Sequence, residues 1–362
     1  MQYLAVLGRQ PEISLAELEA LFSNVKKISP LLATFSSDDN VNIDRLGGSL
    51  KLAIKIDKNP LDYLKTLPEG KITLGVSDYS KYSSKKSATL EALKLKKILT
   101  RHGRSVRVVE NKSAALSTAT SLYNGLSGKN EKKIELVKIN DSWYKVVGVQ
   151  DIDAYAKRDQ SRPARDAKVG MLPPKLAQIL INLCGPLPKN SIILDPFCGT
   201  GVVLQEALLM GYSAYGTDVS ERMIEYSEKN LNYFDFKNYS VEVGDATNYK
   251  WNQIIDAVAC EGYLGKPMTM VPGELKLKEQ KQECKAIVFG FLKNISSQIK
   301  SNTPVVIAVP AWLRENGNYS RLDIIDEIDN MGYNVNNKTR EGLLYHREGQ
   351  IVARDILILR KN

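Results

Sequence analysis

Three aspartates that each follow a short apolar run are the residues of this chain whose types and spacing could bind a polar ligand. Asp195 begins the turn DPFCGTG after the run IIL, Asp218 ends SAYGTD 23 residues later, and Asp245 follows VEVG. Glycine in such a turn removes the Cβ that would block a close approach of the backbone to a ligand. A dinucleotide-binding turn would read GxGxxG and bind a pyrophosphate, whereas an aspartate at the head of the turn repels an anion. The pattern therefore predicts a cradle for a ligand that carries an amine and hydroxyl groups.

S-Adenosylmethionine carries these groups in the order that the three acids require. Its methionine ammonium would lie near the glycine-rich turn, its ribose hydroxyls at Asp218 and its adenine amine at Asp245. We therefore expect S-adenosylmethionine as the cofactor.

Alternating strands and helices must position these acids. From residue 171 onward the apolar pattern predicts strands near 191–195, 213–218, 240–245, 254–260 and 304–309, with a terminal hairpin around Glu348 and Gly349. Such alternation indicates an α/β domain whose mostly parallel, doubly wound sheet is covered on both faces. We expect a region of α+β structure over residues 1–150, in which Ser14 and Glu17 have the spacing of a helix capping box, and a polar linker over 151–170.

Three segments carry a resemblance to a known family. The run LDPFCGTGVVLQEALLMGYSAYGTD (194–218), the motif from KRDQSRP (157–163) to MLPPKLA (171–177), and the start YLAVLG (3–8) with SLAEL (14–18) resemble class I S-adenosylmethionine-dependent methyltransferases. More narrowly, they resemble the tRNA guanosine-N2 methyltransferases that carry an N-terminal THUMP-type RNA-binding module. The resemblance implies a Rossmann-like methyltransferase domain over 171–362, an N-terminal α+β THUMP-like RNA-binding domain, and the guanosine at tRNA position ten as the target.

The turn and the resemblance together predict a set of cofactor-binding residues. These are Met171, Asp195, Phe197, Gly199, Thr200, Gly201, Asp218, Val219, Asp245 and Ala246. The resemblance also implies that the motif before the turn closes over the cofactor. It leaves open a small activating protein partner and the oligomeric state.

The positive charge of the chain is concentrated in one segment. The net charge is +9, and between Lys71 and Lys133 fourteen Lys or Arg accompany only four Asp or Glu. Clustered Lys and Arg favour contact with a polyanion, because binding releases the counterions of the phosphates. A helix is predicted over 88–101 with Leu90, Leu93, Ile98 and Leu99 on one face, and tRNA or other structured RNA is the expected partner. RNA contacts are predicted for Lys94, Lys97, Arg101, Arg104, Arg107, Arg158 and Arg162, although the last two could instead pair with Asp159 and Asp166.

The segment after the fourth predicted strand, ACEGYLGKP (259–267), is where amine methylation would occur. Methyltransferases that act on an exocyclic amine usually carry an Asp or Asn, two prolines and an aromatic residue there, and this chain lacks both prolines. If Gly265 aligns with the glycine that often follows this motif, Glu261 occupies the acid position and Leu264 the aromatic one. If Tyr263 is the aromatic residue, Cys260 occupies the acid position. We prefer the first alignment, because a carboxylate accepts an amine hydrogen better than a thiol does. Glutamate is one methylene longer than aspartate, and glycine in place of proline makes the turn more flexible.

We therefore predict an S-adenosylmethionine-dependent enzyme that methylates guanosine N2 in tRNA, with Glu261, Tyr263 and Cys260 as candidate catalytic residues. A DNA amino-methyltransferase, an RNA methyltransferase that uses Cys260 as a nucleophile toward a pyrimidine ring, and an inactive RNA-binding homologue remain alternatives. Four cysteines without a CxxC pair and two histidines argue against a metal site and a disulfide framework. The N-terminus lacks the basic leader of a secretory signal and no run reaches the length of a membrane span, so we expect a cytoplasmic location without membrane contact.

Overall fold

The structure is a computed structural model that describes residues 1–165 and 172–362. The chain divides into two compact units, Met1–Tyr155 and Ala156–Asn362. Met171, one of the predicted cofactor residues, lies outside the described residues. Within the described ranges, none of the helices has the length and the apolar character that crossing a membrane requires.

The first unit is built from strands and short helices in α+β order. Its strands are β1 (Gln2–Leu7), β2 (Ser23–Ser29), β3 (Leu32–Ser36), β4 (Ser49–Lys55), β5 (Ile72–Asp78), β6 (Val106–Val108), β7 (Lys133–Ile139) and β8 (Ser142–Val149). Its helices are α1 (Pro11–Leu21), α2 (Pro60–Lys65), α3 (Lys85–Arg101) and α4 (Thr118–Tyr123), with a 3₁₀ turn at Ile43–Arg45. The strands form one sheet in the order β2-β3-β1-β4-β8-β7-β5-β6, in which β5 runs parallel to β6 and β7 and the other pairs are antiparallel.

The start of α1 differs from the sequence prediction. The helix begins at Pro11 with Gln10 at the N-cap, because the fixed φ of proline suits the first helical position. The predicted capping box of Ser14 and Glu17 is therefore wrong. The carboxylate of Glu17 is buried and accepts hydrogen bonds from the backbone N–H groups of Gly47 and Gly48, each at 2.9 Å. Glu17 thus holds a distant turn rather than its own helix terminus.

The second unit contains a mostly parallel sheet with helices between its strands. Its strands are β9 (Ile192–Asp195), β10 (Ser213–Asp218), β11 (Tyr239–Val243), β12 (Ala257–Glu261), β13 (Pro304–Leu313), β14 (Tyr319–Ser320), β15 (Tyr333–Val335), β16 (Leu344–Tyr345) and β17 (Val352–Lys361). Its helices are α6 (Pro174–Leu183), α7 (Val202–Leu209), α8 (Glu221–Tyr233), α9 (Glu274–Ser296), α10 (Ile325–Asn330) and α11 (Asn337–Glu341), and α5 (Ile152–Gln160) spans the division between the units.

The strand order of the second sheet is β11-β10-β9-β12-β13-β17-β15. Strands β9 to β13 run parallel, and β17 inserts antiparallel beside β13. The predicted doubly wound sheet and the terminal hairpin of β16 with β17 are confirmed. Because the order reverses at β9 and β12, the loops after these strands diverge and leave the crevice in which α/β sheets bind ligands.

Candidate cofactor site and catalytic loop

The turn between β9 and α7 requires glycine at two positions. Gly199 and Gly201 both have positive φ angles, +51° and +80°, which side chains with a Cβ rarely adopt. A Cβ at Gly201 would also lie 3.0 Å from the Oγ of Ser227 on α8. Ser227 donates a hydrogen bond of 2.8 Å to the carbonyl oxygen of Gly199, so α8 holds the turn by a side-chain contact. The turn is thereby held close-packed on one side.

Asp195 is a buried carboxylate at the head of this turn. Its side chain is 2% exposed, and its Oδ1 accepts one hydrogen bond, of 3.1 Å, from the backbone N–H of Phe197. Burial raises the pKa of Asp195 well above its ordinary value, and the negative charges of Asp218 and Glu261 raise it further. A positively charged ligand group at this position would stabilise the ionised form. The site therefore favours a cation such as an ammonium.

Asp218 and Val219 lie at the end of the neighbouring strand β10. The Asp218 carboxylate accepts hydrogen bonds from the backbone N–H groups of Gly199 at 3.0 Å and Ser220 at 2.9 Å, so it joins the two loops. Burial raises the pKa of Asp218. The side chain of Val219 is 74% exposed. Asp218 and Val219 thus present carboxylate oxygens, which can accept hydrogen bonds from ribose hydroxyls, next to an exposed apolar side chain, which can contact a base.

The other predicted cofactor residues line the same edge of the sheet. Asp245 is exposed after β11, and its Oδ1 accepts hydrogen bonds from the backbone N–H and the hydroxyl of Thr247 at 2.9 and 2.7 Å. Ala246 is buried, and Phe197 is half-buried with its ring edge-on to Phe291, the centroids 5.5 Å apart. The glycine turn, the buried acid and the exposed Val219 fit S-adenosylmethionine.

Residues 162–164 are hydrogen-bonded to the turn through the side chains of Arg162 and Asn230. Arg162 donates to the hydroxyl of Thr200 at 3.1 Å and to Asp159 at 3.4 Å, and burial lowers the pKa of its guanidinium. The Asn230 side chain on α8 accepts from the backbone N–H of Ala164 and donates to the carbonyl oxygens of Ala164 and Thr200. This segment and the turn therefore form one hydrogen-bonded structure.

The prediction that Arg162 contacts RNA is corrected by its burial, whereas the same prediction for Arg158 stays a prediction. Arg162 is only 3% exposed, so its guanidinium cannot reach a phosphate. Arg158 forms an ion pair of 2.9 Å with Glu206, which is fully buried on α7. The alternative pairing of Arg162 with Asp159 is confirmed, whereas Asp166 lies outside the described residues.

Glu261 ends β12, the strand beside β9, and its carboxylate is held from across the sheet. The Nε of Arg354 on β17 donates to its Oε1 at 2.7 Å. Burial raises the pKa of Glu261, and the charge of Arg354 opposes this shift. The end of β12 therefore presents a carboxylate that has a fixed cationic partner.

The loop after Glu261 is fastened to α9. The Tyr263 hydroxyl donates to Glu283 at 3.2 Å, and Gln280 accepts from the backbone N–H of Lys266 at 2.7 Å. Gly265 between them has a φ of +85°, which favours glycine. Because Tyr263 points toward α9 and packs against its apolar cluster, this geometry favours the alignment that puts Glu261 in the acid position. The expected flexibility of the turn is offset by these two hydrogen bonds.

Cys260 faces away from this site. Its side chain is fully buried in the apolar cluster that contains residues of α9, and burial raises the pKa of its thiol well above the ordinary value. A nucleophilic cysteine must be accessible and form a thiolate, and Cys260 meets neither requirement. The alternative of a cysteine nucleophile is therefore not favoured.

The basic surface of the first unit lies on α3. Lys94, Lys97 and Arg101 are exposed, but the buried face of this helix is formed by Ala88, Ala92, Leu95 and Leu99. The prediction for Leu90 and Leu93 is wrong, since both are almost half exposed and lie on the same side as the basic residues.

Two further arginines follow this helix. Arg107 is exposed and donates to Asn124 at 2.9 Å. The guanidinium of Arg104 donates to the carbonyl oxygens of Leu67 and Pro68, so two of its N–H groups are used within the fold, and its RNA contact stays a prediction.

Sequence reasoning missed the residues that support the site from a distance. Ser227 and Asn230 lie on α8 without a distinctive motif, and no local signal marks them. Arg354 could have been noticed, because Arg354 and Asp355 interrupt the otherwise apolar run of β17. A charged side chain in a central strand usually has a partner for its charge.

Comparisons with known proteins show what this chain is similar to. The family described as "Methyltransferase domain" matches residues 187–335, and the one described as "DNA methylase" matches residues 72–229. The solved structure of TrmN from Thermus thermophilus has a TM-score of 0.49 and 16% sequence identity, with both chains covered completely.

Relatives of known name are more similar in sequence. The tRNA (guanine(10)-N2)-dimethyltransferase of Pyrococcus abyssi is 30% identical over 285 residues, which is 75% of this chain and 80% of the relative. The protein of the same name from Methanothermobacter thermautotrophicus is 30% identical over 144 residues, which is 40% of each chain. The second unit thus has the Rossmann-like fold of class I S-adenosylmethionine-dependent methyltransferases. The chain belongs to the tRNA (guanine(10)-N2)-dimethyltransferase family.

Proposed function

We propose that this protein transfers a methyl group from S-adenosylmethionine to N2 of a guanosine in tRNA, at position ten. Family membership supports the reaction class. The observation that carries the proposal is the carboxylate of Glu261, which ends the strand beside β9 and interacts electrostatically with Asp195 of the cofactor turn. An acceptor for an amine hydrogen and a cradle for the methyl donor are thereby adjacent.

The proposed cofactor contacts follow from the chemistry of each group. Asp195 would bind the ammonium of the methionine part, and the glycine turn would admit the cofactor close to the backbone. Asp218 would accept hydrogen bonds from the ribose, while Val219 and Asp245 would contact the adenine. S-Adenosylmethionine, when bound, supplies an electrophilic methyl group on a sulfonium.

Glu261 has the central role in the proposed chemistry. The lone pair of the guanine amine is delocalised into the ring, so the nitrogen is a weak nucleophile. A carboxylate that accepts one of its hydrogens increases the electron density on nitrogen and fixes its direction of attack. The nitrogen–methyl bond forms as the sulfur–methyl bond breaks, and the proton that the amine loses passes to Glu261 or to water.

The first unit would supply affinity for the tRNA. Its exposed basic side chains Lys94, Lys97 and Arg101 follow one face of α3 and can track a phosphate backbone. We propose that this unit is the THUMP-like RNA-binding module that the sequence predicts. A tRNA substrate also fits the expected cytoplasmic location.

Methyl transfer to unmodified tRNA transcripts tests the proposal. The purified full chain is incubated with labelled S-adenosylmethionine and tRNA, and the digested nucleosides are identified by mass spectrometry. We expect N2-methylguanosine, and none from a transcript with adenosine at position ten. Glu261→Gln should lower the rate by roughly 10²–10⁴-fold, whereas Glu279→Gln, an exposed position on α9, should leave it unchanged.

Two other outcomes would contradict the proposal, and a third would extend it. Methylated adenine or cytosine in duplex DNA, without product in tRNA, would indicate a DNA amino-methyltransferase. Binding of cofactor and tRNA with no product on either nucleic acid would indicate an inactive RNA-binding homologue. Appearance of a second methyl group on the same nitrogen would extend the reaction to dimethylation.

A further inference from the structure

The partner of Glu261 lies far away in the sequence, on the strand that inserts antiparallel into the sheet. The side chains of Arg354 and Glu261 are 6% and 16% exposed, so their hydrogen bond of 2.7 Å is largely removed from water. The Nη1 of Arg354 also lies 3.4 Å from the side-chain oxygen of Gln350. Among the described residues, the other carboxylate oxygen of Glu261, Oε2, has no hydrogen-bond partner.

The strand register explains how the two side chains meet. Glu261 is paired with Ala308 of β13, and Ala308 is paired with Ile356 of β17. Arg354 is two residues before Ile356 and therefore lies on the same face of the sheet as Glu261. The long arginine side chain crosses β13 to reach the end of β12. The contact thus depends on the antiparallel insertion of β17.

A second, independent feature gives such a contact a use. Glu261 has one more rotatable bond than an aspartate, and Gly262 follows it where amine methyltransferases usually carry proline. The longer side chain gives the carboxylate more freedom, and a misplaced acceptor loses much of the advantage of proximity. A guanidinium that holds one carboxylate oxygen removes this freedom.

We propose that Arg354 is a positioning residue for methyl transfer: it holds Oε1 of Glu261 so that Oε2 faces the guanine amine. The inference rests on the proposed function, since it names the residue that directs the acceptor of that same reaction. Arginine suits this task because its guanidinium is planar, remains charged and directs its N–H groups in a fixed fork.

The charges around Glu261 determine how the reaction depends on pH. Among the described residues, the charged groups that interact with Glu261 are Arg354 from β17 and Asp195 from β9, and Cys260 is its neighbour on β12. Burial raises the pKa of Glu261 and Arg354 opposes that shift. Loss of Arg354 therefore raises the pKa further, and the ionised acceptor is then present only at higher pH.

Kinetics of Arg354→Met and Arg354→Lys test the proposal. We expect Arg354→Met to lower kcat by about 10–100-fold with little change in KM for tRNA, and to move the acidic limb of the pH–rate profile to higher pH. Arg354→Lys keeps the positive charge but not the planar set of N–H groups. It should return the acidic limb of the pH–rate profile to its wild-type position but restore only part of kcat. The matched control is Arg347→Met, on an exposed loop before the same strand. A rate that falls equally at every pH, or one equal to that of the control, would overturn the proposal.

A second measurement separates this inference from the proposed function. If the wild-type chain makes no N2-methylguanosine, the proposed function fails. Carbon-13 NMR titration of labelled glutamate carboxyls, with Glu261→Gln to assign the signal, then tests the interaction of Glu261 with Arg354 independently of activity. A higher midpoint for Glu261 in folded Arg354→Met supports control by Arg354, and an unchanged midpoint overturns it. Thermal melts and binding of S-adenosylmethionine establish that each variant is folded.

Discussion

At the scale of a single residue, Asp195 is a side chain that lowers the stability of the free protein but can bind a ligand. Its carboxylate is buried and has, among the described residues, one backbone hydrogen bond and two acidic neighbours, so the ionised form is unfavourable in the free protein. Sites that bind charged ligands commonly give up stability in this way.

Replacing Asp195 by Asn should stabilise the free protein and abolish cofactor binding. A carboxyl whose folded pKa is raised destabilises the folded state progressively as pH rises from the ordinary pKa through the raised one. We expect Asp195→Asn to melt roughly 2–4 °C higher than wild type at pH 8, with the difference disappearing at acidic pH. Thermal melts across this pH range, with exposed Asp323→Asn as the control, measure the effect. A variant that melts lower than wild type at pH 8 would contradict this account of Asp195.

Cys260 is a second residue whose surroundings determine its chemistry. Because its thiol is buried on the face opposite Glu261, Cys260→Ala should keep methyl transfer within about twofold at a stability cost of about 1 kcal/mol. The initial rate on tRNA, compared with that of Cys284→Ala, measures this. Complete loss of activity in a folded variant would instead point to a cysteine nucleophile.

At the scale of an element, the packing of helix α3 determines which of its side chains face solvent. Its helical periodicity puts Lys94, Lys97 and Arg101 on the face opposite the buried Ala92 and Leu99, so the core contact itself orients the basic row toward solvent.

Substituting the three basic residues of α3 by Ala should weaken tRNA binding and reduce its salt dependence. Each lost phosphate contact lowers the slope of log affinity against log salt concentration by about 1, so we expect the slope of the triple variant to be smaller by about 2–3. Binding isotherms at several salt concentrations measure the slope. The control is the triple variant of exposed Lys26, Lys58 and Lys65 in the same unit. An equal loss of slope in both variants would show that only total charge matters.

A buried ion pair joins two strands of the sheet in the first unit, and its hydrogen bonds reach α4 and the residues before it. Lys51 on β4 and Glu135 on β7 are 2.5 Å apart, and both are nearly inaccessible to water. Ser77 and Ser121 donate to the carboxylate, and Lys51 also donates to the carbonyl oxygen of Leu116.

Lys51→Met should destabilise the first unit by about 3–5 kcal/mol, because it leaves Glu135 buried without a countercharge. The exposed pair of Lys27 and Glu12 is the comparison, and Lys27→Met should cost at most about 1 kcal/mol. Denaturant unfolding followed by a probe in each unit measures both values. Recovery of stability in the double variant Lys51→Met/Glu135→Leu would confirm the cause, and equal costs for the two single variants would contradict it.

On the scale of the whole molecule, the chain combines two units that each have their own hydrophobic core. The candidate cofactor site is built from described residues of the second unit alone. Binding of S-adenosylmethionine should therefore stabilise that unit by mass action, by about 2.7 kcal/mol at a hundredfold excess over Kd.

Hydrogen exchange of the intact chain measures where this stabilisation acts. We expect slower exchange in the turn 195–201 and at the ends of β10 and β12 when the cofactor is added. Asp195→Asn, which should not bind the cofactor, is the control. Protection that arises only within Met1–Tyr155 would contradict the location of the site.

The sequence by itself determined the local parts of this protein. The apolar runs, the glycine turn and the acids at strand ends are short-range signals, because side-chain periodicity and glycine φ angles act within a few residues. Five strands of the second sheet, its terminal hairpin and the position of Asp195, Asp218 and Glu261 at strand ends could therefore be predicted, whereas the short strands β14 and β15 were not. The basic character of α3 followed from composition in the same way.

Only the tertiary structure decided which distant side chains meet. Arg354 reaches Glu261 because β17 inserts antiparallel beside β13, and Glu17 holds Gly47 and Gly48 because a loop returns to α1. Burial of Arg162 and exposure of Leu90 likewise depend on which face packs against the rest of the fold. Such contacts join residues tens of positions apart, and no spacing in the sequence encodes them. Long-range packing thus determines whether a charged side chain is used in a structural contact or is available for the reaction.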